Sequence, residues 1–399
     1  MPPFLPRPQV PMSISRRTFV AASSAAFIPA WHLPFDGALP ARGTPALHET
    51  AWPGYDGATV IDCLASPGPF NSPLSGEGPL TPEMVANAKA SGITAVNLTV
   101  SGGGPGHASF DATVANLAYW ERELVAHPDV FMKVRTVADL AEAKRTKRVG
   151  LIFGFQDAVM LEGNLARLDL FHRLGVKIVQ LTYNVRNLLG DGSLESADAG
   201  LSAHGRAVIA RMNQLGMLVD LSHCGTRTTD EGIAASAKPV AITHSGCRAI
   251  FDHPRSKPDS TLRALAEKGG VIGIYMMPFI NAAGQPRAEH LIAQLEHAIK
   301  TCGEDHVGIG SDLSITPHVV NAEYDRLHKQ FVAGRKQAGI AAPREEDYMF
   351  VSDMNSPRRL ELIAEALAAR GHGSARIEKV IGRNWLRVFG EVWGAGAPA

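Results

Sequence analysis

Residues 217–245 read MLVDLSHCGTRTTDEGIAASAKPVAITHS, and this stretch predicts a strand, a helix and a second strand in close succession. The runs 217–223 and 239–245 are mostly apolar and end on polar side chains, whereas 228–235 has helical spacing. Nearly continuous apolar runs are typical of strands that are covered on both faces of a parallel sheet. The unit therefore predicts an α/β fold built from alternating strands and helices.

The same alternation continues on both sides of this unit. Apolar runs predict further strands at 59–65, 93–100, 149–155, 176–184, 271–276 and 306–313. Helical spacing predicts helices at 82–90, 112–126, 165–174, 201–215, 260–268, 288–302, 358–369 and 375–389. This alternation is what a (β/α)8 TIM barrel requires. An open doubly wound sheet is the alternative, but Asp62-Cys63-Leu64-Ala65-Ser66 stands where its Gly-rich phosphate turn is expected.

Composition excludes two classes of protein. The 399 residues carry 39 Lys+Arg and 39 Asp+Glu, so no basic surplus is present to bind nucleic acid. With 45% hydrophobic residues the chain can bury a large core. No stretch approaches the roughly 20 apolar residues that a membrane-spanning helix needs, which excludes an integral membrane protein.

The first 30 residues predict an export signal. Arg7, Arg16 and Arg17 precede the apolar and small-residue run 19–30, and no acidic residue interrupts them. The paired Arg16 and Arg17 indicate the twin-arginine route, which predicts a periplasmic protein, with a disordered basic tail as the alternative. We expect a signal at 1–30, a linker at 31–56, the barrel at 57–392 and a tail at 393–399.

The four cysteines predict buried free thiols. Cys63, Cys224, Cys247 and Cys302 form no C-x-x-C pair, and a chain of this length needs no disulfide scaffold. A Cys224–Cys247 disulfide is the alternative in an oxidising compartment.

Polar residues that close the apolar runs predict a metal site, because reactive groups of such barrels lie at the carboxyl ends of the strands. His223 and His244 end consecutive strands, Asp312 ends the last strand, and Gln156 and Asp157 end another. Imidazole is a common zinc ligand, and a carboxylate can bind the metal or take a proton from bound water. The alternatives are hydrogen-bonded structural histidines and an Asp312 that forms a turn or a helix N-cap. The long polar segment 315–353 is expected to form a lid or an edge of the site.

The chain resembles the membrane (renal) dipeptidases, peptidase family M19, within the amidohydrolase-like metal barrels. The resemblance covers roughly residues 55–392. It is carried by LTYN at 181–184, Asn187, GDG at 190–192, GLS at 200–202, NQLGM at 213–217, DLSH at 220–223, THS at 243–245, HPR at 253–255, GGVIG at 269–273, DHVGIGSD at 305–312 and GRNWLR at 382–387.

This resemblance implies a zinc hydrolase that cleaves dipeptides with two metals bridged by a glutamate and a hydroxide, commonly as a homodimer. His223 and His244 match the ligands of one metal, and Asp312 matches a ligand of the other. Arg255 matches the residue for an anionic part of the substrate. Tyr183 stands where the family often has a His that donates to the developing oxyanion, a role that a phenol can also fill.

Three positions depart from the family. Leu64 and Ser66 replace the His-x-Asp pair of the first strand, and Gln156 replaces the bridging Glu. We therefore expect one zinc, with none or two as alternatives. Substitute ligands lie nearby in sequence, namely Asp62, Cys63 and Asp157, but the first two flank the expected position and a one-residue slip turns a strand side chain away.

The leading hypothesis is an exported, zinc-dependent, dipeptidase-like hydrolase that cleaves dipeptides or related small amides. Asp312 and Tyr183 are its candidate catalytic residues, and Arg255 and Tyr183 bind the substrate. The candidate metal ligands are His223, His244, Asp312 and Gln156. A non-catalytic periplasmic protein that binds peptides or amides is the second hypothesis, and a hydrolase of another amide or lactam is the third.

Overall fold

The computed structural model describes residues 52–71, 78–102 and 108–394. The predicted export signal, residues 31–51 of the predicted linker and residues 395–399 of the predicted tail lie outside these ranges. Residues 52–56 of the predicted linker pack against the barrel domain. Trp52 and Tyr55 are buried, and the Tyr55 hydroxyl donates to the Ser91 carbonyl at 3.0 Å.

Eight parallel strands close into a ring, which confirms the predicted (β/α)8 TIM barrel. In chain order the ring strands are β1 (Ile61–Asp62), β3 (Ala95–Thr99), β5 (Val149–Phe155), β6 (Val176–Gln180), β7 (Leu218–Asp220), β8 (Ala241–Ser245), β9 (Val271–Ile274) and β10 (Val307–Ile309). The ring closes where β10 pairs with β1. Three short strands lie outside it, namely β2 (Ala65–Ser66), β4 (Phe131–Lys133) and β11 (Leu313–Ser314).

Helices alternate with the strands, and further helices follow the last strand. They are α1 (Pro82–Ala90), α2 (Phe110–Ala126), α3 (Val137–Thr146), α4 (Ala166–Arg173), α5 (Ala203–Leu215), α6 (Thr226–Ala235), α7 (Asp259–Glu267), α8 (Ala288–Cys302), α9 (Ala322–Gln337), α10 (Arg359–Ala369), α11 (Ser374–Glu378) and α12 (Asn384–Trp393). The predicted helix 375–389 is divided, because a π-helical turn at Lys379–Arg383 separates α11 from α12.

Sequence reasoning missed β4, α3 and α9. α9 was hidden in a polar segment, but its buried Tyr324, His328 and Val332 recur every four residues, which is a helical signal. α3 begins with a capping box in which Thr136 and Asp139 bond each other's backbone.

The core closes one end of the barrel and leaves the other for the site. Apolar residues of seven ring strands pack with Trp385, Val388, Phe389 and Val392 of α12 in one buried cluster. Most of these strand residues lie early in their strands, so α12 covers the amino-terminal end. All four cysteines are buried and free, so the Cys224–Cys247 disulfide is not formed. In the described ranges, no helix is long and apolar enough to cross a membrane.

Candidate functional site

His223 and His244 meet at the carboxyl end of the barrel, as the sequence predicts. His223 follows β7, His244 lies in β8, and their Nε2 atoms are 2.8 Å apart. Burial, with a further contribution from the Arg255 cation, lowers the pKa of both rings well below the ordinary histidine value. Both imidazoles are therefore neutral near neutral pH, which is the form that binds a metal.

Hydrogen bonds to the outer ring nitrogens decide where the proton of each imidazole lies. His223 Nδ1 donates to Asn184 Oδ1 at 2.7 Å. His244 Nδ1 lies 2.8 Å from Thr243 Oγ1, whose hydroxyl donates to Asp220 Oδ2 at 2.7 Å and so accepts from the ring. Both Nε2 atoms thus carry lone pairs that face each other. A cation relieves this repulsion, so this donor set fits one metal ion held by two imidazoles with supported outer nitrogens.

The other half of the implied two-metal centre does not fit a metal. Leu64 is buried and apolar, and the Ser66 hydroxyl accepts from the Gly68 N–H at 3.1 Å. Asp62 is fully buried, accepts from the Ser311 hydroxyl at 2.6 Å and pairs with Arg359 at 3.4 Å. Across the part of the chain that the structure describes, no three His, Cys, Asp or Glu side chains gather as a metal cluster. In the described ranges, the residues at these positions therefore do not supply the ligands of the first metal of a binuclear pair.

Gln156 and Asp157 follow β5, as predicted from the end of that apolar run. Gln156 is buried, and its backbone carbonyl accepts from the Gln180 side-chain amide. Asp157 is also buried, and its Oδ1 accepts from the Val159 N–H at 3.2 Å. A metal-binding role for either side chain stays a prediction.

Asp312 lies just after β10 in a strained backbone conformation. Its φ of 64° is in the left-handed region, which non-glycine residues rarely adopt and which is often found at functional sites. Its Oδ1 accepts from the Asn71 side-chain amide at 2.8 Å. Burial raises the pKa of Asp312 to about 7, although Arg255 and Asn71 oppose the rise. The role of Asp312 as a third ligand or catalytic group stays a prediction.

Arg255 supplies a buried cation beside the histidine pair. Its side chain is 2% exposed, and Nη2 donates to the His244 carbonyl at 3.3 Å. Among the described residues, its Nε has no hydrogen-bond partner. A buried guanidinium with unused donors is suited to an anionic ligand group, because burying it unpaired is costly.

Tyr183 lies against His223 of the histidine pair. Its ring stacks on the His223 imidazole, with centroids 4.1 Å apart and an interplanar angle of 23°. Burial raises the pKa of Tyr183, against an opposing effect of Arg335. The phenol therefore stays protonated near neutral pH and can donate a hydrogen bond.

Several supporting residues were not predicted from the sequence. Asn184 lies in the quoted LTYN stretch, so its position was available as a signal. Asn71, Arg335, Glu345 and Arg359 carry no local signal, because each is brought to its partner by the fold from a distant part of the chain or from a polar segment.

Comparison with known proteins agrees with this architecture. The model of the membrane dipeptidase family, peptidase family M19, matches residues 84–330, which is more than half of the chain. Dipeptidase tcpJ of Claviceps purpurea is 29% identical over 263 residues, a match that spans 65% of this chain and 62% of tcpJ, less than two thirds of that relative.

Solved structures share the fold. A Pseudomonas aeruginosa amidohydrolase superposes with a TM-score of 0.72 and 30% identity, covering 85% of this chain and 98% of that one. A Rhodobacter sphaeroides metallo peptidase, liganded with a phosphinate mimic of the dipeptide L-Ala-D-Ala, superposes with a TM-score of 0.67 over 84% of this chain and 99% of that one. At 20% identity, this second likeness concerns the fold alone. On the family match, this chain belongs to the membrane dipeptidases, peptidase family M19.

Proposed function

We propose that this protein is an exported hydrolase of dipeptides or related small amides that uses one zinc ion held by His223 and His244. The observation that carries the proposal is the pair of neutral imidazoles whose Nε2 atoms face each other at 2.8 Å. Membership in a dipeptidase family supports the reaction class. Export to the periplasm rests on the Arg16-Arg17 pair of the predicted signal.

The residues around the pair have complementary roles in such a reaction. A zinc ion bound there supplies Lewis acidity and lowers the pKa of water to about 7. Arg255 binds an anionic group of the substrate through its unused Nε donor. Tyr183 donates a hydrogen bond to the carbonyl oxygen as negative charge develops on it. The Asp312 carboxylate accepts the proton that the attacking water loses.

A second candidate function is binding of a peptide or amide without cleavage. It is favoured by the side chains of Leu64 and Ser66, which are not ordinary zinc ligands, and by the hydrogen bonds of Asp62 to Ser311 and Arg359. A barrel can keep a substrate pocket after it loses its chemistry, because fold does not fix function. Hydrolysis of another amide or a lactam is the remaining alternative for the same site.

Metal analysis beside a hydrolysis assay separates these candidates. We expect about one zinc per wild-type chain, by the two-imidazole site, and release of amino acids from a panel of dipeptides. His223→Ala should lose both the zinc and the turnover. His297→Ala is the matched control, because His297 lies on α8 and pairs with Asp259 at 2.8 Å rather than with the site.

The outcomes are distinct. Zinc-free protein without turnover of any dipeptide, amide or lactam would refute the proposal. Calorimetric binding of a dipeptide to such zinc-free protein would establish the second candidate. Turnover of a lactam but not of dipeptides would keep the site and replace the substrate.

A further inference from the structure

The segment between the last strand and α10 forms a cap over the carboxyl end of the barrel. We define this cap as residues 315–358, which include α9. The Asn184 side-chain amide donates to the Ile340 carbonyl at 2.8 Å, and His253 Nε2 lies 3.0 Å from the Pro343 carbonyl. The cap is therefore hydrogen-bonded to two loops of the site, one with Asn184, which bonds His223, and one with His253, which lies two residues before Arg255.

One cap residue, Arg335, contacts a side chain of the candidate site directly. Arg335, near the end of α9, donates from Nη2 to the Tyr183 hydroxyl oxygen at 3.2 Å. Its guanidinium also donates from Nε and Nη2 to Glu345, at 2.6 and 2.7 Å. The two side chains are 10% and 2% exposed. A two-point bond of this kind fixes the orientation of the guanidinium plane, which a single contact would leave free.

Glu345 is itself held in place. Its Oε1 accepts from the Ala342 N–H at 2.9 Å, so the carboxylate is bonded to both the cap backbone and Arg335. The ion pair is neutral as a unit, and Arg335 is therefore poorly suited to bind a substrate anion itself. Arg335 Nη2 also donates to the Ile340 carbonyl at 3.4 Å, and its hydrogen bond to the candidate site is the one with the Tyr183 oxygen.

That contact sets the direction of the phenolic proton. A phenol oxygen that accepts from Arg335 keeps its own hydrogen for a second partner. The Tyr183 ring lies flat against His223, so its hydroxyl has little freedom other than rotation about the C–O bond. A fixed donor on one side of the oxygen limits even this rotation.

We propose that Arg335 is a positioning residue for hydrolysis, which holds the Tyr183 phenol so that its O–H points at the substrate carbonyl oxygen. This inference rests on the proposed function and extends it to a residue outside the barrel strands. A purely structural role, in which the Arg335–Glu345 pair only fastens the cap, is the competing explanation.

Kinetics of matched variants distinguish the two roles. On a dipeptide that the wild type cleaves, Arg335→Met should lower kcat by about tenfold to a hundredfold, the cost of a misplaced reacting group, and change KM less than about twofold. Tyr183→Phe should lower kcat by about a hundredfold. The double variant should be no slower than Tyr183→Phe, since Arg335 acts through Tyr183. Arg335→Lys should restore part of the rate.

The control and a ligand-free measurement complete the test. Arg326→Met removes another α9 arginine, paired with Glu323 at the exposed surface, and should leave kcat and KM unchanged. Tyrosine labelled at Cζ with carbon-13 reports the phenol by NMR, and the Tyr183 signal should shift in Arg335→Met without any substrate.

Four results would overturn the inference. A kcat of Arg335→Met equal to that of the wild type would show that Arg335 does not act through Tyr183. The same follows if the kcat losses of the two single variants multiply in the double variant. An unchanged Tyr183 signal would show that Arg335 does not bond the phenol, which removes the basis of the inference. A wild type that cleaves no dipeptide, amide or lactam would refute the proposed function, and with it the role of Arg335 in hydrolysis.

Discussion

Replacing Arg359 by Met should destabilise the barrel strongly, because it removes the cationic partner of Asp62. Asp62 is 0% exposed and Arg359 is 2% exposed, and Nη2 donates to Oδ2 at 3.4 Å. Arg359 Nη1 also donates to the Ser314 carbonyl at 2.8 Å. Breaking a buried ion pair from one side costs about 3–5 kcal/mol.

The structure places the cost of losing the ion pair itself at the lower end of that range. The Asp62 carboxylate keeps the Ser311 N–H at 2.7 Å and the Ser311 hydroxyl at 2.6 Å, so it is not left without donors. The Ser314 carbonyl loses its bond, which adds about 1 kcal/mol or more. We therefore expect the free energy of unfolding to fall by about 4 kcal/mol, the sum of about 3 kcal/mol for the pair and about 1 kcal/mol for this bond.

Equilibrium denaturation in urea, followed by far-ultraviolet circular dichroism, measures this cost when the slope with denaturant is unchanged. Asp62→Asn combined with Arg359→Met should cost less than Arg359→Met alone, because the neutral amide no longer leaves a charge buried. Arg326→Met is the surface control and should cost less than about 1 kcal/mol. A cost below about 1 kcal/mol for Arg359→Met, or strict additivity in the double variant, would refute the reasoning.

Three further substitutions test the cap and the ring. Burial lowers the pKa of His318 to about 4, so the unfolded chain binds more protons between about pH 4 and pH 6.5 and stability falls as the pH falls through this window. His318→Phe keeps the stacking on Phe350. Relative to wild type, the variant should be about 2 kcal/mol more stable at pH 5 than at pH 7.5, which denaturation at the two pH values measures. An equal stability difference at both pH values would contradict the lowered pKa of His318. A Cβ at Gly310 would lie 1.9 Å from the Thr243 carbonyl oxygen, so Gly310→Ala should lower the stability by about 3 kcal/mol or more. Gly334 lies in the interior of α9 with open space around it, so Gly334→Ala should raise the stability by about 0.5–1 kcal/mol in the same assay. Comparable stability of the two alanine variants would show that β8 and β10 can separate at this point.

Much of the barrel was predictable because its signal is local. Each ring strand is a run of buried residues on both faces, so the run is visible in the sequence without knowledge of its neighbours. β4 was missed because three residues carry too little periodicity to be recognised. The π-helical turn after α11 was missed because it depends on a tertiary contact. Gly382 of this turn lies close to the Thr59 carbonyl, and the local sequence does not record that approach.

The candidate site was predictable only in part. The positions of His223 and His244 follow from register, since each ends an apolar run and adjacent parallel strands end at the same edge. Their ring directions do not follow from register. These depend on Asn184 and Thr243, which fix the outer nitrogens by hydrogen bonds.

The sequence by itself determined the ring of strands, the family and the presence of Leu64, Ser66 and Gln156 at the strand ends, because all three depend on residue types and their order along the chain. Only the tertiary structure decided how the site around these residues is arranged. It turns Asp62 toward Arg359, closes the site with a cap from residues 315–358 and brings Arg335 to Tyr183 across 152 positions of sequence. Contacts between such distant residues depend on how the chain packs, and no local pattern of side chains records them.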